Sequence, residues 1–267
     1  MLKETTAAGS WIVVPKSNPR ARLRLFCFPY SGGGASIFRT WPESLPEAVE
    51  VCAVQLPGRE NRLREAPFTD VPGVVQTLAE VLRPYLTVPF AFFGHSLGAL
   101  IGFELARQLR KQNVQSPIHL FVSGKRAPQI PDRLPSVYQL PDSEFIEEMH
   151  HRYGGIPQAV LQSPGVMQIF LPLLRADFSM NDTYAYVDGK PLDCPISCFG
   201  GLYDPAVREE DLAGWRNQTK CSFTLRMIPG GHFFIHDASA SLLHALSDDL
   251  TKKELPTTRS ISNVSTP

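Results

Sequence analysis

The apolar positions of this chain fall into two alternating kinds of run. Short, nearly continuous apolar segments recur at Arg22–Phe28, Val49–Leu56, Phe90–Phe93, Ile118–Ser123, Ile196–Phe199 and Ser222–Met227, each of strand length. Between them lie stretches whose apolar residues return every three or four positions. Val71–Leu86 is the clearest, with Val74, Val75, Leu78, Val81, Leu82 and Tyr85 on one face; Ala99–Lys111 and Ala238–Leu250 repeat the pattern. Phe38–Leu45 reads as a shorter helix with Trp41 on its apolar side, and Trp11–Val14 as a short edge strand or packing anchor. Strands covered on both faces lose the in–out alternation of a half-exposed sheet, so this order predicts an α/β fold with a mostly parallel central sheet flanked by helices.

The pattern breaks after Gly124. Prolines at 128, 131, 135, 141, 157, 164, 172 and 191 punctuate a segment with no strand period. Three amphipathic pieces remain: Asp142–Tyr153, with Asp142 or Ser143 as N-cap, then Pro164–Leu174 and Arg175–Tyr186. Residues 128–190 therefore read as a helical lid inserted over the sheet's active edge, or as an ordinary helical cap with no gating role. The expected organisation is an N-terminal extension over 1–20, one domain over 21–252 that contains the insertion, and a Ser/Thr-rich tail over 253–267 expected to be disordered.

Composition narrows the function classes. With 26 basic and 26 acidic residues the chain is neutral, so global charge suggests neither nucleic acid nor an anionic membrane. No apolar run is long enough for a transmembrane helix, and the first residues lack the apolar core of a signal peptide. The five cysteines, an odd number lying mostly in apolar runs, read as reduced thiols of a cytoplasmic protein. Cys194 and Cys198 have no second close pair of cysteines or histidines, so no metal is expected.

The candidate chemistry begins at Gly94-His95-Ser96-Leu97-Gly98, which fits G-x-S-x-G with an apolar strand before it and a helix after it. On such a turn the serine is held in a strained conformation that exposes its hydroxyl, with the helix N-terminus beneath it. A tight turn that happens to carry a serine is the bland alternative. Upstream, Pro29-Tyr30-Ser31-Gly32-Gly33-Gly34 follows a strand. It suits an oxyanion loop, in which the N–H groups of Ser31 and Leu97 would hold a developing negative charge. A phosphate-binding loop is the weaker alternative, because no Lys-Ser/Thr ending follows; a plain flexible loop is another. Asp204, after Gly200-Gly201, and His232, after Gly230-Gly231, each follow a predicted strand. With Ser96 they stand in the order nucleophile, acid, base of α/β-hydrolases. A serine hydroxyl needs a base that titrates near neutrality, and that base needs a carboxylate to set its tautomer. His95, His119, His150, His151, His236 and His244 compete less well by position, and Asp177 and Asp182 rival Asp204 from inside the inserted segment.

Five motifs in order, Phe28–Gly34, Gln55–Glu60, Phe92–Gly98, Leu174–Asp177 and Pro229–Phe233, resemble those of the type II thioesterases that accompany polyketide and nonribosomal peptide synthetases, and of the related medium-chain thioesterase of fatty acid synthesis. The resemblance spans about residues 25–235. It departs at Tyr30 and Ser31, where the family usually has His or Trp and Ala or Met. It implies an α/β-hydrolase fold, a Ser96-His232-Asp204 thioesterase needing no cofactor or metal, and acyl substrates on the phosphopantetheine arm of a carrier protein or on coenzyme A, in an editing or chain-release role. Carrier proteins are generally acidic, so Arg59, Arg62 and Arg64, and Lys125, Arg126 and Arg133, are candidates for docking; for the first three a solvated surface is the alternative. An oxygen-ester hydrolase or lipase, and a catalytically idle binding module, are the rival functions.

Overall fold

The computed structural model describes residues 11–252 except 155 and 157. The expected tail and the first half of the expected N-terminal extension lie outside the described residues. In chain order the regular elements are β1 (Ile12–Val13), β2 (Leu23–Phe28), β3 (Val49–Val54), α1 (Val71–Val81), β4 (Phe90–His95), α2 (Leu97–Lys111), β5 (His119–Ser123), α3 (Asp142–Tyr153), α4 (Gln158–Leu161), α5 (Pro164–Asp182), β6 (Ile196–Gly201), α6 (Glu209–Ala213), β7 (Phe223–Ile228), α7 (Phe234–Asp237) and α8 (Ser239–Lys252). Among the described residues seven strands form one sheet in the order β1-β3-β2-β4-β5-β6-β7. Only β1 is antiparallel, pairing Ile12 with Val54 at the edge. Residues 12–13 thus belong to the sheet rather than to a separate extension.

Every residue of β3, β4, β5 and β6 is buried, as continuous apolar strands require when helices cover both faces. Strand residues alternate between two cores. Phe26, Phe28, Phe90 and Phe92 face the side packed by α1 and α2, where edge-to-face ring contacts knit them together. Phe93, Phe121 and Phe199 face the side closed by Phe38, Trp41 and α8. A third apolar cluster, Val137, Phe145, Met149, Ile156, Leu174 and Phe178, lies within the segment between β5 and β6. That cap carries its own small core.

Three local expectations are corrected. Phe38–Leu45 is not one helix. It is the end of one 3₁₀ turn, Ala35–Phe38, and then a second, Trp41–Glu43, because Pro42 opens the second turn and the anchoring rings Phe38 and Trp41 pack as a pair. Pro164–Leu174 and Arg175–Tyr186 are not two pieces, since α5 runs unbroken through Pro172. A proline inside a helix forfeits one backbone bond, but buried Leu173, Leu174, Ala176 and Phe178 pack the turns that follow and hold the helix together. The N-cap of α3 is Pro141, with no side-chain cap; Asp142 pairs instead with Arg175.

Candidate active site

The turn between β4 and α2 is shaped by its glycines. A side chain at Gly94 would strike the Gly98 carbonyl, and one at Gly98 would strike the carbonyl of Phe28 on the neighbouring strand. Only with both positions bare can helix and strands approach closely enough to leave Ser96 at φ 53°, ψ −117°, a region that costs a non-glycine residue energy. The Ser96 N–H donates to the carbonyl of Ser123 at the end of β5 (2.7 Å). Leu97 opens α2, so its N–H is among the first four of the helix and has no acceptor within it.

Asp204 and His232 leave the ends of β6 and β7, which are hydrogen-bonded neighbours in the sheet. His232 Nδ1 lies 2.7 Å from Asp204 Oδ2, and both residues are buried. The other carboxylate oxygen accepts from the Ala206 N–H (2.9 Å), which fixes the carboxylate plane. An ionised carboxylate only accepts, so Nδ1 carries the proton and the lone pair of Nε2 is free to take another. Ser31, Ser96 and His232 line a single cavity of about 450 Å³. The cap roofs it with Met149, Ile156, Val160, Phe170, Leu174 and Phe178, while Lys125, Arg126 and Asp132 mark a polar side. Burial, the largest cause, with Arg126 beside it, brings Lys125 down from 10.5 to about 7.

His95 is not a rival base, yet it is part of the site's frame. It is wholly buried, with Nδ1 2.9 Å from Ser123 Oγ and Nε2 3.0 Å from the backbone carbonyl of His232. A carbonyl can only accept, so Nε2 is protonated and Nδ1 accepts from the serine hydroxyl. Burial, then repulsion from His232, pushes its pKa well below 6.5 and keeps the ring neutral. His119 is likewise a buried strand residue, beside Ser197 Oγ (2.9 Å).

The docking expectation for Arg59 and Arg62 is corrected: both are 3% exposed. Arg59 forms a two-pronged ion pair with Asp177 of α5, at 2.8 Å for each contact, and also donates to the Gly33 carbonyl (3.0 Å). Arg62 donates to the Gln55 carbonyl, pairs with Glu65 and lies 3.9 Å over the Trp11 ring. These guanidiniums turn inward because the loops around them leave backbone carbonyls and a buried carboxylate that need donors. Arg64 remains exposed. Arg126 lines the cavity and pairs with Asp132, and Arg133 pairs with Asp211.

The same loop shows a structural role that the sequence reading did not assign. Gln55 accepts the Ala35 N–H (2.7 Å) and donates to the Arg59 carbonyl (2.9 Å), and Asp177 Oδ2 accepts the Gly32 N–H (2.7 Å). All three sit within the Gln55–Glu60 and Leu174–Asp177 motifs, where the sequence offered Arg59 as a docking cation, Asp177 as a rival to Asp204 and Gln55 no role; their place in those motifs was the available signal.

The thioesterase-domain family model matches residues 23–250. The gramicidin S biosynthesis protein GrsT of Aneurinibacillus migulanus is 47% identical over 242 residues, covering 91% of this chain and 94% of that protein. The RedJ thioesterase of the prodiginine pathway in Streptomyces coelicolor superposes with TM-score 0.80 at 39% identity, covering 86% of each chain. The type II thioesterase BorB of the borrelidin cluster superposes with TM-score 0.80 at 32% identity, covering 92% of this chain and 98% of that one.

Proposed function

This chain belongs to the thioesterase-domain family, and from that premise we propose that Ser96, His232 and Asp204 carry out its thioester hydrolysis on acyl groups held by the phosphopantetheine arm of a carrier protein. The observation that supports the residue assignment best is the buried His232–Asp204 contact of 2.7 Å beside a strained Ser96 in one cavity.

The chemistry follows from the atoms. His232 Nε2 takes the Ser96 Oγ proton as Oγ attacks the thioester carbonyl, and Asp204 stabilises the imidazolium that forms. The N–H groups of Leu97 and Ser31 hold the tetrahedral oxyanion. One oxyanion-hole donor is worth on the order of 10²–10³ in rate. The C–S bond breaks, the imidazolium proton goes to the departing thiolate, and an acyl-serine remains. His232 then deprotonates a water that attacks this ester, and Ser96 regains its proton as the free acid leaves. A thioester suits the site because its carbonyl has little resonance stabilisation and its thiolate leaves readily.

The apolar roof, from Met149 to Phe178, accommodates the acyl chain, and relatives that serve biosynthetic clusters support an editing or release role. Arg126, at the cavity's polar side, remains the candidate contact for an acidic carrier. Ser96→Ala tests the assignment. Turnover of acylated carrier protein should fall by about 10⁴-fold or more with the circular dichroism spectrum unchanged. Substantial residual hydrolysis in that variant would remove Ser96 as nucleophile.

A further inference from the structure

We propose that Asp177 and Asn181, one turn apart on α5, are positioning residues that hold the Tyr30–Gly33 turn in the form that presents its oxyanion donor. The C-terminal half of the cap's longest helix is then a fixed part of the reaction machinery. This rests on the reading of Ser31 N–H as a donor to the oxyanion.

The turn is closed by the Gly33 N–H on the Tyr30 carbonyl (2.9 Å), with Gly32 at φ +80°. Its two central N–H groups, on Ser31 and Gly32, belong to successive peptides. Asp177 Oδ2 takes the Gly32 N–H at 2.7 Å, which fixes that peptide plane and occupies that donor, while Ser31 itself lines the cavity. Asp177 is itself held rigidly. It is 0% exposed, and Arg59 clamps both of its oxygens while also bonding the Gly33 carbonyl. One buried guanidinium thus ties helix and turn together on either side of Gly32. Two-pronged charge-assisted bonds in a dry setting are the strong kind. Asn181 Nδ2 adds a longer contact to Ser31 Oγ (3.3 Å), and its Oδ1 accepts from Lys125 Nζ (2.7 Å). Phe170 and Leu174 of the same helix leave little room for a side chain at Gly32. Donors that are already in place need no reorganisation as charge develops, and that is where an oxyanion hole gains its effect.

A lone change at Asp177 strands a buried guanidinium, so the test uses R59M/D177L, which replaces the ion pair with apolar side chains of similar size. Replacing the ion pair itself is commonly neutral for stability, and the Gly32 N–H and Gly33 carbonyl that lose their partners are the change under test. Ser31→Ala is the second variant; it removes the Asn181 contact and keeps the N–H. The readouts are kcat and KM on an acyl-coenzyme A, and the inhibition constant of an alkyl trifluoromethyl ketone, which forms a tetrahedral adduct with a serine hydroxyl. For R59M/D177L, kcat should fall on the order of 10²-fold with KM within about threefold, and the ketone should weaken in parallel with kcat. Ser31→Ala should lose about fivefold in kcat, again at constant KM, the worth of one modest hydrogen bond. A folded R59M/D177L with kcat near wild type, or with unchanged ketone affinity, overturns the proposal. If that variant does not fold, Ser31→Ala decides, and wild-type kcat there overturns it. Ser96→Ala assayed alongside separates the two levels. Residual turnover in it means the site itself is misread, whereas an inactive Ser96→Ala beside an unimpaired R59M/D177L means that only the positioning role is wrong.

Discussion

Replacing His95 with glutamine tests how the frame of the site depends on a neutral buried ring. In the folded protein His95 is uncharged, held by Ser123 Oγ and the His232 carbonyl, with its pKa well below 6.5 through burial first and repulsion from His232 second. In the unfolded chain a histidine titrates at about 6.5. Between the folded and unfolded pKa values the unfolded state binds a proton that the folded state refuses. The contribution is therefore fully present above about pH 6.5 and is lost as pH falls below it. One such proton gives a limiting slope of about 1.4 kcal/mol per pH unit. At about 2–4 °C per kcal/mol for a chain of this size, that corresponds to roughly 3–6 °C in Tm per pH unit. His236 is exposed and also lowered, through desolvation first; it adds in the same direction, but weakly because solvent screens it. Glutamine can still donate to the His232 carbonyl but cannot be protonated. H95Q should cost about 1 kcal/mol at pH 8, where one imperfect hydrogen bond replaces a good one. Its loss of stability from pH 6.5 to 5.5 should be shallower than that of the wild type by about 1 kcal/mol, the limiting slope being reached only below that range. Urea unfolding at pH 8, 7, 6.5, 6 and 5.5 measures both quantities. Equal slopes in the two proteins would refute the neutral-ring account, whatever the stability at pH 8.

Further outcomes are expected elsewhere. Asp204→Asn removes the acceptor that keeps the proton on His232 Nδ1, and kcat should drop on the order of 10⁴-fold, measured on acyl-coenzyme A with KM followed in parallel. Lys125→Met concerns a group lowered from 10.5 to about 7. Its stability contribution rises with pH between those values because only the unfolded chain keeps the proton. The variant should therefore show a flatter increase of urea midpoint from pH 7 to 9, by less than the full shift implies because the amine opens on the cavity. Arg126→Glu should raise KM for acylated carrier protein most strongly at low salt, while an acyl-coenzyme A analogue is nearly unaffected. Equal effects on both substrates would remove Arg126 as a docking residue.

Much of this protein was written locally. The apolar runs at Val49–Leu56, Phe90–Phe93 and Ile118–Ser123 became strands because a peptide buried on both faces has to be apolar throughout. The Gly94–Gly98 turn was legible because its requirement, bare Cα positions where helix meets strand, is met by residue type alone. The order of Ser96, Asp204 and His232 placed three polar residues at neighbouring strand ends, and the described contact joins two of them. What sequence could not decide is where a long charged side chain finds its partner. Arg59 and Arg62 look like solvent-facing cations in a Pro-Gly loop. Yet Arg59 closes on Asp177, 118 residues away, and Arg62 turns back onto the Gln55 carbonyl and the Trp11 ring. His95 offers no clue in its spacing that its far nitrogen meets the His232 backbone across 137 residues. Hydrophobic periodicity reports burial along a single element. Pairing of buried charges and orphan carbonyls is settled only when packing removes water from both partners at once.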